Sequence, residues 1–374
     1  MSSNSAPLGS ALREAARRAK NVWGAVRGME AVPGQEGAEE GLTAAEEASV
    51  ERRRDVSSPP EEVVSVREEV LKTFRDRLAI LHRQYGKAPH VDALLRDLAQ
   101  LHPGVIRQPA GVAPQVLEML NRENYSWAQI GAVIEKDPAI AQALLNHANA
   151  DWYEGDGAPP LSSLVAAARR VGSKGVMASV MTVVLERGAI RPGAGLDAVA
   201  RMVWDHMVRV APIARQFAHG FGVDPDSGFT LGLCHDAGKL LFFERVAEVR
   251  KALRADLKFP PGFMQAALKQ LHEPLGGLAA FSWGMPPDFA AAIASHHRTG
   301  SGLPSSPLAE AVYAAERLDL MVHADRHVDL TQLWNDGAMT APMDRFLPLW
   351  EQARQGAVAR ELEEKRRKAE APMA

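Results

Sequence analysis

Between Phe229 and Phe243 the chain reads Phe-Thr-Leu-Gly-Leu-Cys-His-Asp-Ala-Gly-Lys-Leu-Leu-Phe-Phe, and only Asp236 and Lys239 in it carry full charge. A segment apolar on every side has no solvent face, which predicts a helix buried all round. A carboxylate in that setting costs on the order of several kcal/mol unless a cation or strong hydrogen bonds compensate. Two arrangements would do so. In the plain one, Asp236 pairs with Lys239 at i,i+3. In the functional one, Asp236 and adjacent His235 ligate a metal and Lys239 meets a phosphate, with Gly238 letting another group approach the backbone closely.

The core that such a segment needs is available, since 46% of the 374 residues are hydrophobic. No stretch alternates with period two over a useful length, so the expected fold is all-α, without a sheet. A formal net charge of −3 offers no basic field for holding nucleic acid. The single cysteine, Cys234, excludes an internal disulfide, fits a reducing compartment and reads as a small buried hydrophobe. No apolar run approaches the roughly 18 residues that span a bilayer, and the N-terminal basic residues are interspersed with alanines rather than followed by an apolar stretch. The expected location is cytoplasmic.

Punctuation divides the chain. Residues 1–60 read as a tail and acidic linker, within which 12–26 carries an apolar face (Leu12, Ala15, Ala19, Val22, Trp23, Val26) and a basic one. That segment is either a nascent helix or a contact for a membrane surface or partner. Ser57-Ser58-Pro59-Pro60 signals a helix start, and residues 61–90 form a linker or docking helix, apolar at Val64, Val70, Leu71, Phe74, Leu78 and Leu81. Residues 91–190 form an N-terminal helical part, with Asp137-Pro138 as a start and Gly172 as a stop. After the Arg191-Pro192-Gly193 break, 191–345 form a second helical part, and 346–374 a charged tail with a frayed helix at Arg360–Arg367.

Six of the 12 histidines fall between positions 206 and 297. His206 shares an inward stripe with Val199, Val203, Val210, Ile213 and Phe217. A neutral core histidine bonded to a carbonyl is the plain alternative to a ligand there. His272 precedes Pro274 and Gly276-Gly277, which suggests a helix break or a helix start. His296-His297 ends a helix opening at Pro287-Asp288, where the macrodipole alone could favour histidine. Imidazole plus carboxylate suits Fe, Mn or Zn. His82, His90, His102, His147, His219, His323 and His327 receive no role, and the dispersed tryptophans make no base-stacking platform.

Taken in order, His206, Gly232–Lys239, His272, Trp283–Pro286 and His296-His297, with Glu135–Ala141, Leu144–Asn149 and Leu161–Leu164 upstream, resemble the HDOD family, a branch of the HD superfamily of helical metal-dependent phosphohydrolases. The resemblance spans about Ile106 to His297. It implies an N-terminal helical part packed on an HD-like part, in bacterial signalling modules regarded as mainly non-catalytic. Carried over from the related HD-GYP phosphodiesterases, it implies that His206, His235 and Asp236 hold one metal. His272, His296 and His297 would hold a second, bridged by Asp236, with Lys239 on the substrate phosphate. Three departures stand out. Glu316 occupies the place of the final aspartate, Arg298–Pro304 lacks the tyrosine and glutamate of the GYP loop, and Ala150 replaces the serine after Asn149. Two functions follow as expectations. One is a non-catalytic signal-transduction module that binds a protein partner or small ligand, its metal site degenerate and empty. The alternative is a phosphohydrolase acting on a nucleotide messenger such as a cyclic dinucleotide.

Overall fold

A computed structural model describes residues 61–370 apart from 105, 107, 108, 123, 151–159, 190–194, 298–305, 324–333, 335–338, 340 and 341. Segment 12–26, the acidic linker, the 57–60 start signal, the 191–193 break and the 298–304 loop therefore lie outside the described residues. Every regular element among the described residues is a helix and none is a strand, in keeping with the missing two-residue alternation. In chain order these are α1 (Glu61–Tyr85), α2 (Pro89–Leu98), α3 (Ala113–Leu120), α4 (Trp127–Ile134), α5 (Pro138–Ala148), α6 (Leu164–Ala189) and α7 (Asp197–Ala218). A 3-10 turn (His219–Phe221) leads to α8 (Pro225–Cys234), α9 (Ala237–Leu253), α10 (Phe263–Ser282), α11 (Pro287–Ala294), α12 (Pro307–His323) and α13 (Met343–Glu370).

Local chemistry sets the starts and stops. Ser126 opens α4 with a reciprocal capping box to Gln129. Asp137 opens α5 by accepting from the N–H groups of Ala139 and Ile140, at 3.1 and 3.3 Å, while Pro138 takes the first helical position. Gly172, at φ 66°, interrupts α6 after Val171. Asn149 donates to the Leu161 carbonyl at 2.8 Å and accepts the Leu161 N–H at 2.7 Å, fastening the end of α5 to the approach of α6.

Asp137 also receives Arg187 of α6 in a two-pronged ion pair, at 2.6 and 2.7 Å. Burial disfavours its charge, but Arg187 and the two N–H donors outweigh that and hold the carboxyl below its ordinary 3.8. A depressed folded pKa contributes stability above the unfolded pKa, and the contribution is lost as pH falls through the folded one. Asp137→Ala should thus cost about 2 kcal/mol near neutral pH, and the deficit should shrink below about pH 4. Denaturant unfolding of both proteins at neutral and acid pH checks this. A deficit independent of pH would exclude the charge as its source.

Two apolar clusters hold the helices together. One draws mainly on α3–α8 and α11–α13, through residues such as Leu144, Val180, Phe217, Phe229 and Phe289. The other joins α1 and α2 to α9 and α10 through Phe74, Leu81, Leu94, Phe242 and Phe263. α1 therefore docks on the body of the molecule. The residues from 346 on differ from the charged tail expected of them: Phe346, Trp350, Ala353 and Ala357 are buried, and Trp350 stacks on Phe217 of α7. Their 4-3-4 spacing is a narrow apolar stripe. The Glu/Lys/Arg-rich end of the same helix masks it in the sequence.

Candidate metal centre

The run from Phe229 to Phe243 is two helices, not the single buried one that its composition predicts. α8 ends at Cys234 and α9 begins at Ala237, so His235 and Asp236 form the joint between them. Asp236 stands at the N-cap of α9 but makes no capping bond, which leaves its carboxylate for other partners. A Cβ on Gly238 would lie 1.9 Å from the His272 carbonyl oxygen and 2.6 Å from the Gly276 nitrogen. The group that approaches the backbone at Gly238 is thus α10 itself.

His272 sits inside α10 rather than at the break that Pro274 and the glycines suggest. Proline lacks the N–H that would bond the carbonyl four residues back. Arg77 of α1 donates to that carbonyl, on Gln270, at 3.1 Å, and the helix continues. His296 and His297 follow α11 directly, past Ser295.

Four imidazoles are oriented by what their Nδ1 atoms meet. Those of His235, His272 and His296 lie 2.7, 2.6 and 2.6 Å from the carbonyl oxygens of Gly232, Leu268 and Ile293. A carbonyl can only accept, so each Nδ1 carries the proton and each Nε2 presents a lone pair. His206 Nδ1 meets a carboxylate, Asp319, at 2.7 Å, so that nitrogen too carries a proton. The four Nε2 atoms converge on Asp236. Those of His206 and His235 lie 3.8 and 3.6 Å from Oδ2, and those of His272 and His296 lie 3.8 and 3.9 Å from Oδ1. His206, His235 and Asp236 each offer a donor atom within 4.8 Å of the others, and so do His272, His296 and His297. Asp236 lies between the two sets, one oxygen toward each.

This arrangement is unfavourable for protein atoms alone. The Nε2 atoms of His206 and His235 are crowded together at 3.3 Å. Asp236 Oδ1, His272 Nε2 and His296 Nε2 are buried without hydrogen-bond partners. Cations between these atoms would relieve both problems, and the nitrogen and oxygen donors suit a divalent transition metal. Burial pushes His235 down to about 4 and His296 to about 3, and holds His272 well below the usual range. All three are uncharged at neutral pH, the form that ligates. For Asp236 burial opposes the charge, but the Lys239 ammonium works strongly the other way and the carboxyl lies well below its usual range. The Lys239 ammonium is 2.6 Å from Asp236 Oδ2, so the i,i+3 pair exists at the rim of the same cluster.

Glu316 stands in neither set. Its carboxylate lies 3.1 Å from Nδ1 of His297, with Arg317 at 3.6 Å. Burial works against a charged His297, but Glu316 outweighs it and raises that imidazole above its ordinary value. Glu316, expected among the ligands, thus lies against His297.

Further buried side chains were given no role from the sequence. Asp319, one turn beyond Glu316, accepts from His206 and from Arg209 (2.8 Å to Nε). Glu273, next to His272, accepts the His297 N–H at 3.0 Å and takes Arg77 at 2.9 Å. Acidic residues at helical spacing inside apolar runs were the available signal. His147, assigned no role, is buried with Nδ1 3.1 Å from the Gly175 carbonyl and 3.0 Å from Ser179 Oγ.

A model of the HDOD domain family matches residues 106–299, just over half of the chain. The chain belongs to the HDOD family. Among curated proteins nothing matches it. Solved structures share the helical fold of this HDOD protein. A Shewanella amazonensis SB2B protein, named as a candidate metal-dependent phosphohydrolase, superposes with a TM-score of 0.53 at 18% identity, covering 76% of this chain and 99% of that one. A Marinobacter aquaeolei VT8 protein, named as a candidate signal-transduction protein, superposes with a TM-score of 0.51 at 16% identity, covering 78% of this chain and 65% of that one. At these identities the likeness establishes the fold alone. Among the described residues no helix is long and apolar enough to cross a membrane.

Proposed function

We propose that this HDOD protein is a metal-binding signalling module whose His/Asp centre retains phosphohydrolase chemistry toward a small phosphorylated messenger. The observation that carries the reading is the convergence of four Nε2 atoms on one buried, partly unpartnered carboxylate. His206, His235 and Asp236 would hold one divalent ion and His272, His296 and His297 a second, with Asp236 shared. Ions so held supply Lewis acidity and a water of lowered pKa. The protein's own part is orientation. Backbone carbonyls and Asp319 fix the imidazoles, and Lys239, 23% exposed at the side chain, gives a phosphate oxygen a cationic partner at the rim.

A second reading, a non-catalytic module that binds a protein partner, is favoured by burial. His235 and His296 have no exposed surface and Asp236 is 1% exposed, which leaves a narrow edge at His206, His297 and Lys239 for any substrate. Hydrolysis of bis(p-nitrophenyl) phosphate by protein loaded with Mn, Fe or Zn separates the two. The first reading expects turnover that chelation abolishes and Lys239→Ala lowers about 10²-fold or more. Stoichiometric metal without turnover on this probe or on cyclic dinucleotides would leave the second reading standing.

A further inference from the structure

The support for His206 does not end at the first carboxylate. Asp319, 1% exposed, lies in the last two turns of α12, where its oxygens receive His206 Nδ1 at 2.7 Å and Arg209 Nε at 2.8 Å. One turn on, His323 stands with its Nε2 3.5 Å from Asp319 Oδ1 and its Nδ1 2.6 Å from Glu361 of α13. The 3.5 Å contact is too long to count as a strong hydrogen bond, so coupling runs by position. Glu361 pins the end of α12 through His323, and that end carries Asp319. Asp319, His323 and Glu361 all lie beyond residue 299, where the match to the family ends.

We infer that α13 is a working part of the centre, in which Glu361, acting through His323 and Asp319, positions His206 for ligation. Asp319 and Glu361 are positioning residues, since neither meets the converging Nε2 atoms. A carboxylate behind a ligating histidine fixes its tautomer and ring plane, and removing such a partner typically weakens metal affinity by 10–100-fold, as an order of magnitude. A helix that reaches the ligand through a side-chain contact gives the chain a handle: whatever displaces α13 loosens His206. This inference rests on the metal-centre reading above, and the experiment separates the two.

The test uses the full chain and Co(II), followed by its d–d absorption. Asp319→Ala should weaken Co(II) binding about 10–100-fold. Glu361→Ala should weaken it several-fold, and Glu361→Gln, which can still accept from His323, should restore most of the affinity. In the Asp319→Ala background, Glu361→Ala should add nothing, because both act through one contact. A second readout needs no metal: in chelated, ¹⁵N-histidine-labelled protein, the protonated Nδ1 of His206 should be seen in the wild type, lost in Asp319→Ala and diminished in Glu361→Ala. Additive effects, or a Glu361→Ala protein identical to the wild type in both readouts, would overturn the inference. A wild type that takes up no Co(II) would instead sink the metal-centre reading, while the nitrogen signals still decide whether Glu361 sets His206.

Discussion

Gly238→Ala is expected to produce the largest stability loss of any glycine-to-alanine change among the described residues. The new Cβ would sit 1.9 Å from the His272 carbonyl oxygen and 2.6 Å from the Gly276 nitrogen, both backbone atoms of α10. A flexible side chain could swing aside, but a helix backbone cannot move without carrying its neighbours. α10 is locked by Leu271, Leu275 and Leu278, none of which has exposed surface. Overpacking of this kind costs about 3 kcal/mol or more, and the midpoint of thermal unfolding should fall on the order of 10 °C. If the variant forms at all, α9 and α10 must separate, pulling Asp236 away from His272. Metal content should then drop together with the melting temperature. A variant that melts within about 2 °C of the wild type would mean that the two helices do not cross as closely as described.

Asp236→Ala should have the largest effect on metal content without requiring misfolding, because alanine fits wherever aspartate did. Among the described residues Asp236 has an oxygen toward each histidine set, so its loss should empty both. Stoichiometry is therefore diagnostic. Protein isolated without chelator should hold about two transition-metal ions per chain if both sets are filled. His235→Ala and His296→Ala should each lower that to about one, and Asp236→Ala to near zero. Element analysis of the four proteins, with circular dichroism to confirm helicity, decides the matter. Equal metal content in the wild type and Asp236→Ala would remove the shared carboxylate from the account. Loss confined to one ion would show that it serves a single set.

The amino-acid sequence by itself determined the class of fold and the chemistry within reach. Helical periodicity, the Asp137-Pro138 start and the Gly172 stop depend on neighbours within a turn or two, so they can be read residue by residue. The buried charge at Asp236 was equally legible, because a carboxylate in an apolar run is anomalous whatever surrounds it. Tertiary structure alone decided the rest. The His235-Asp236 joint lies next to the point where α10 crosses Gly238, and Arg77 takes the carbonyl that Pro274 cannot bond in the helix that carries His272. That His206 Nδ1 meets Asp319, that Glu316 lies against His297 and that Glu361 reaches toward Asp319 through His323 are set by groups from about twenty to more than a hundred residues apart along the chain. Contacts at that separation leave no periodic trace, because they are fixed by how whole helices pack.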